Sequence, residues 1–191
     1  MSAGLTQVLS ELNGANFSFK PGAIIPAETI VGRTVFLQSG LVKFCDKSGV
    51  LIFRLLPGEI LDADLSEELN LSSGDSIIEA ETAVVFTSLS PENQKTISEE
   101  NTEWSKSLKS SRKALFRRLI GSVCSTNSCM ESQIIKYLNN LREISNSDEI
   151  PVTHAVIAKD LGSAREVVSR GLKKLENEGK LQLKRGKIVM K

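Results

Sequence analysis

At 191 residues, with a quarter of them charged and 40% apolar, the chain has the make-up of an ordinary folded protein, which excludes disordered and collagen-like classes. The net charge of +1 is polarised, standing at −9 over residues 1–103, +4 over 104–150 and +6 over 151–191, so a polyanion partner or a solvated lysine-rich face belongs at the C-terminal end. Met1 to Leu12 carries no Lys or Arg, and no stretch approaches the roughly 18 apolar residues of a membrane span, so a cytoplasmic protein without a membrane partner is expected.

From Phe17 to Phe86 short apolar runs are broken by turn residues at Lys20-Pro21-Gly22, Ser39-Gly40, Asp46-Lys47-Ser48-Gly49 and Pro57-Gly58-Glu59. Short strands at this spacing predict an antiparallel sandwich or barrel. Leu51 to Leu56 and Thr82 to Phe86 are the best buried strands, and Val42-Lys43-Phe44 to Val50 is the clearest hairpin. After Ser90 the pattern turns helical, with Pro91 in the first turn and Glu92 at the positive end of the dipole.

From Trp104 a narrow stripe runs through Leu108, Ser111, Leu115, Leu119 and Ser122 in steps of three and four. By spacing alone it packs equally well on its own sheet or on the same helix of a second chain. Ser125 to Ser128 interrupts it, and a second helical run carries Ile134, Ile135, Leu138 and Leu141. The expected division is a β-rich domain over 1–103, a helix and hinge over 104–127, and a C-terminal domain over 128–191.

Residues 151–191 are the most informative. Thr153 can cap a short helix with Val156, Ile157 and Leu161 inward, ended by Gly162, which tolerates a left-handed backbone. After the turn Gly162-Ser163-Ala164 a second helix runs from Arg165 to Glu178 with Val168, Leu172 and Leu175 inward, and Gly179 stops it. Leu181-Gln182-Leu183, Lys184-Arg185-Gly186-Lys187 and Ile188-Val189-Met190 then alternate and turn like a two-stranded wing. Two short helices on a tight Gly-containing turn form a helix-turn-helix unit, whose second helix enters the major groove of double-stranded DNA. Arg165 and Arg170 can fork onto guanine, Glu166 can accept from a cytosine amino group, and Ser169 lies one turn further on the same face. Lys173, Lys184, Arg185 and Lys187 suit phosphates.

Leu161-Gly162-Ser163-Ala164-Arg165-Glu166-Val167-Val168-Ser169-Arg170, followed by Leu172, Leu175-Glu176 and Gly179, resembles the recognition signature of the Crp/Fnr family of bacterial transcription regulators. Phe36 to Lys43 and Leu56-Pro57-Gly58-Glu59 are similar to the turn motifs of that family's cyclic-nucleotide-binding-like jelly roll. The resemblance implies an α+β chain: an antiparallel β jelly roll, a long dimerisation helix and a C-terminal winged helix-turn-helix. It also implies a homodimer seamed along Trp104 to Ser122, an inverted-repeat operator with half-sites like TTGA or TGTGA, and RNA polymerase as a further partner. Thr153 and Ser163 become candidate phosphate contacts, Ser163 standing in for the cap where the family often has a serine in place of Ala164.

Relatives that bind cyclic AMP hold its phosphate with an arginine after a short helix. Here no Lys or Arg lies between Arg54 and Lys95, while nine acidic residues do, so cyclic nucleotide is not the expected effector. Three cysteines, Cys45, Cys124 and Cys129, cannot hold a four-iron cluster within one chain, and they suit a reducing compartment. The single histidine, His154, lies in the DNA-binding segment and reads as a surface or capping residue. No metal or cofactor is expected, and no histidine precedes it to serve a metal-dependent or triad-type enzyme. Alternatives stay open: redox control through Cys124 and Cys129, control by abundance or a protein partner, or a degenerate jelly roll with a role away from DNA.

Overall fold

The computed structural model describes residues 14–69, 71, 76–123 and 128–191, with the side chains of 121–123 set aside. The chain divides into two compact units, residues 1–47 with 52–120, and residues 48–51 with 121–191.

In the first unit the strands form two antiparallel sheets. One has the order β1 (Ala15–Phe19), β7 (Val84–Leu89), β2 (Thr34–Ser39), β5 (Ile60–Leu61); the other places β3 (Val42–Asp46) between β4 (Leu51–Leu55) and β6 (Ser76–Ala80). Their inward side chains meet in one core that includes Leu37, Phe44, Phe53, Ile78 and Phe86. The Phe44 and Phe53 rings stack with centroids 4.3 Å apart. Gly40, at φ +84°, makes the β2–β3 turn in a conformation that a side chain would strain. The strand expected at Thr82 begins instead at Val84 and runs on to Leu89, because Glu81 to Ala83 form the turn out of β6.

Helix α1 (Ala63–Glu68) is capped by Asp62, whose carboxylate accepts from Leu65 N–H at 2.9 Å. Helix α2 (Pro91–Glu100) is capped by Ser90, with Pro91 in its first turn. Asn101 breaks the chain into extended backbone, and its side chain accepts from Trp104 N–H at 2.9 Å, starting α3 (Thr102–Val123).

The α3 stripe corrects one expectation. Trp104 is fully buried against Phe36, Ile60, Leu89 and Ile97, with Leu108 packed beside it. Leu115 lies in the main core and Leu119 packs on it. Ser111 is buried too, its hydroxyl accepting from Ile60 N–H at 3.1 Å. Trp104, Ser111 and Leu115 are therefore buried in their own β-domain and leave little surface for a second chain, with Leu108 and Leu119 half-buried beside them; the largest of them serve the nearest apolar surface, which is the sheet. Ser122 lies outside the described side chains.

The second unit holds α4 (Met130–Ser145), β8 (Glu149–Ile150), α5 (His154–Asp160), α6 (Arg165–Asn177), β9 (Leu181–Lys184) and β10 (Lys187–Met190), with sheet order β8-β10-β9. The wing thus gains a strand where only a loop was expected before Pro151. Ile134, Leu138, Ile157, Val168, Leu172, Leu175, Leu181 and Ile188 form its core. Val156, expected inward, is 39% exposed; Ala158 takes the inward position beside Ile157.

Candidate nucleic-acid interface

The surface begins with the turn between α5 and α6. Gly162, at φ +61°, lets Ser163 N–H reach back to the Ala158 carbonyl at 2.9 Å, ending α5 and redirecting the chain. Thr153 caps α5, its hydroxyl oxygen accepting from Val156 N–H at 3.3 Å, so that bond does not use the hydroxyl proton. Helix α6 starts after Ala164, and no side chain caps it. Ser163 does not take the capping role expected of it, because the residue at the cap position has only a methyl group.

With Val168, Leu172 and Leu175 buried, helical geometry turns Glu166, Arg170 and Lys173 to the opposite face and Ser169 to its edge, while Arg165 is exposed because it opens the helix, ahead of the buried stripe. Arg165, Glu166 and Arg170 are exposed and, among the described residues, make no ion pair. Ser169 is half-buried, and its hydroxyl lies 2.9 Å from His154 Nδ1. Gly171, on the inner face, lets α6 approach α4: a Cβ there would stand 2.8 Å from Ile134 Cδ1.

The basic residues are partly committed. Lys173 pairs with Glu176 at 2.7 Å, while the second oxygen of Glu176 accepts from Leu183 N–H and ties the helix to the wing. Those two donors, Lys173 first, hold the Glu176 carboxyl below the usual carboxylate range. Lys174 reaches Glu131 of α4 at 3.0 Å and is itself pushed up by that carboxylate. Lys187 and Lys184 both lie against Glu149, whose carboxyl Lys187 holds low. Arg185 stands exposed at the wing tip beside Gly186, at φ +76°.

In the β-domain, the acidic stretch that looked devoid of cations receives two from α3, within the first unit. Arg112 donates through Nε and Nη2 to both oxygens of Asp62, and Arg118 donates to Glu59 at 2.6 Å. A sequence window could not find them, since they lie 50 and 59 residues away. Cys45 is buried. Cys129 is exposed just before α4, its sulfur 3.2 Å from Ser132 Oγ, and Cys124 lies outside the described residues. Among the described residues no group of three His, Cys, Asp or Glu is arranged to hold a metal, and no helix is long and apolar enough to cross a membrane.

A two-sheet β-domain with a short acidic helix, a long helix after it in sequence and a winged helix-turn-helix define the class: an α+β chain that ends in a Crp-like helix-turn-helix domain. Residues 132–191 match the family model of the Crp-like helix-turn-helix domain. The fold as a whole is shared with a transcriptional regulator of the Crp/Fnr family from Eubacterium rectale, at TM-score 0.70 and 22% identity over 100% of this chain and 90% of the other. It is also shared with a cyclic nucleotide-binding domain containing protein from Listeria monocytogenes, at TM-score 0.79 and 15% identity over 98% and 96% of the two chains. The c-di-GMP responsive regulator CLP of Xanthomonas campestris matches at TM-score 0.74 and 16% identity over 99% of each chain. No curated protein matches the chain.

Proposed function

We propose that the protein is a sequence-specific transcription regulator that binds an inverted-repeat operator as a homodimer and does not respond to cyclic AMP. The carrying observation is the exposed cluster Arg165, Glu166 and Arg170 in the first two turns of a helix whose side chains Val168, Leu172 and Leu175 are fully buried. Two arginine forks and a carboxylate on one rigid surface supply the donor and acceptor pattern that major-groove edges require. Thr153, Ser163, Lys173, Lys184, Arg185 and Lys187 surround that cluster as phosphate contacts that add affinity without sequence information.

The second copy docks on the outer face of α3, where Phe116 and Ile120 are 56% and 50% exposed. Large side chains left in water on one helical face are the feature of a surface awaiting a partner. The pairs on α3 support the lack of a cyclic AMP response: Arg112 and Arg118 are already held by Asp62 and Glu59, so a phosphate seeking either would have to displace a carboxylate.

Selection of bound duplexes from a random library by the purified protein tests this reading. A two-fold symmetric site is expected without added ligand. Arg165→Ala or Arg170→Ala should weaken binding to it by about 1 to 3 kcal/mol while sparing non-specific duplex. Phe116→Glu should give monomers in sedimentation and lose the symmetric site. Enrichment of no sequence, or binding of the enriched site that both arginine variants retain, would refute the proposal.

A further inference from the structure

Ser169 sits among the exposed groups of α6, yet its hydroxyl already has a partner. His154, the first residue of α5 and the only histidine in the chain, brings Nδ1 within 2.9 Å of Ser169 Oγ. The cap of α5 is supplied by Thr153, so the imidazole is not needed there. Both side chains are half-buried, which keeps the contact at the edge of the DNA-facing surface.

We infer that His154 is a specificity-positioning residue: through Nδ1 it fixes the direction of the Ser169 hydroxyl, and so selects which base edges Ser169 accepts. The inference rests on the DNA-reading role proposed above. An unpartnered serine has one proton and two lone pairs on a free rotor, so it can donate to one base and accept from another. Anchored to Nδ1, it loses that freedom. Where Nδ1 is bare, it accepts the hydrogen bond that the Ser169 hydroxyl donates, and Ser169 offers the bases only lone pairs, which suit the amino groups of adenine and cytosine. Where Nδ1 carries a proton, it donates to Oγ and releases the serine proton to guanine N7 or O6, or to thymine O4. The tautomer is set in turn by what the outer ring nitrogen meets. A base preference read out on α6 is thereby decided by a side chain on α5.

The test compares the full-length protein with His154→Phe, His154→Asn, Ser169→Ala and the His154→Phe/Ser169→Ala double variant. Each is scored for relative affinity across all four bases at every position of the enriched half-site. Phenylalanine keeps the ring volume without its nitrogens, and asparagine returns a polar group near the Nδ1 position. His154→Phe should flatten the preference at one base position by about tenfold, the scale of one net hydrogen bond, and leave the other positions as they were. His154→Asn should restore part of it, and His154→Phe should change nothing further once Ser169 is alanine.

Nitrogen-15 spectra of the lone imidazole add a readout without DNA, in which Ser169→Ala should shift the Nδ1 resonance. An equal loss of affinity at every position, a Phe effect that persists in the Ser169→Ala background, or an Nδ1 resonance indifferent to Ser169 would each overturn the inference. Failure of the wild type to enrich any sequence is a different result, which refutes the DNA-reading proposal itself and the inference with it.

Discussion

Replacing Arg112 by glutamine should destabilise the β-domain by about 2 kcal/mol near neutral pH, a value placed between the roughly 3 to 5 kcal/mol lost on breaking a buried pair and the roughly 0 to 1 kcal/mol of an exposed one. The intermediate position follows from the geometry, because the Asp62 side chain is 1% exposed while Arg112 is 50% exposed. Burial on its own would raise the Asp62 carboxyl, but the Arg112 guanidinium and the Leu65 N–H together outweigh it and hold the group below its ordinary value of 3.8. A carboxyl depressed in the folded state contributes stability above its unfolded value and loses it as pH falls through the lower folded value. In the glutamine variant burial is opposed mainly by the Leu65 N–H, so its carboxyl titrates higher. The gap between the two proteins should thus be widest at neutral pH and close on acidification through the carboxylate range. Trp104 is the only tryptophan, fully buried in the same unit, so urea unfolding followed by its fluorescence reports the relevant transition. A midpoint shift of roughly 1 M is expected at pH 7. Coincident midpoints there, or a gap that widens as pH falls, would refute the reasoning.

Other perturbations address the DNA-binding unit. Glu149→Gln should release Lys184 and Lys187; anisotropy titrations should then show tighter binding to any duplex and a salt dependence steeper by up to about 0.9 per lysine freed. Gly171→Val forces a side chain against Ile134 Cδ1, where a Cβ alone would stand at 2.8 Å, and should lower the stability of this unit by about 1 to 3 kcal/mol in thermal unfolding followed by circular dichroism. Tyr137→Phe removes the hydroxyl that donates to buried Asp160 at 2.8 Å. The loss in the same assay should be about 1 kcal/mol, the scale of one net hydrogen bond.

What could be read from residues alone depended on how local the deciding force is. Val168, Leu172 and Leu175 identified the inner face of α6 because a helical period and two glycine stops are properties of adjacent residues. The α3 stripe was equally visible, but a stripe does not state which surface covers it. The answer turned on Phe36, Ile60 and Leu89, far away in the chain, which build a pocket for Trp104. Phe116 and Ile120 went unnoticed because Lys113, Arg117 and Arg118 break up their neighbourhood in sequence while helical rotation sorts them in space. The acidic stretch after Arg54 was read as lacking cations for the same reason, since Asp62 and Glu59 receive theirs from α3 and Glu81 its own from Arg54 and Lys43 on neighbouring strands. Ser163 and Ala164 differ by one position at a helix start, which is below the resolution of pattern reading.

The outer face of α3 also bears on how assembly and DNA binding should respond to salt. Continued toward the start of the helix, the Phe116 and Ile120 row runs through Lys113 and Lys109, both exposed, with the alternating steps of four and three that a helical seam requires. In a parallel two-fold pair each of these lysines meets its own copy, so like charges oppose the association that the two apolar residues favour. Salt screens that repulsion, with a Debye length of about 10 Å at 0.1 M. The same salt weakens every phosphate contact made by Lys173, Lys184, Arg185 and Lys187. Raising ionic strength should therefore tighten the dimer in sedimentation while loosening the complex with DNA, two trends of opposite sign in one protein. Lys113→Gln should abolish the first and leave the second. A dimer that weakens with salt alongside the DNA complex would place the seam on a charged surface elsewhere.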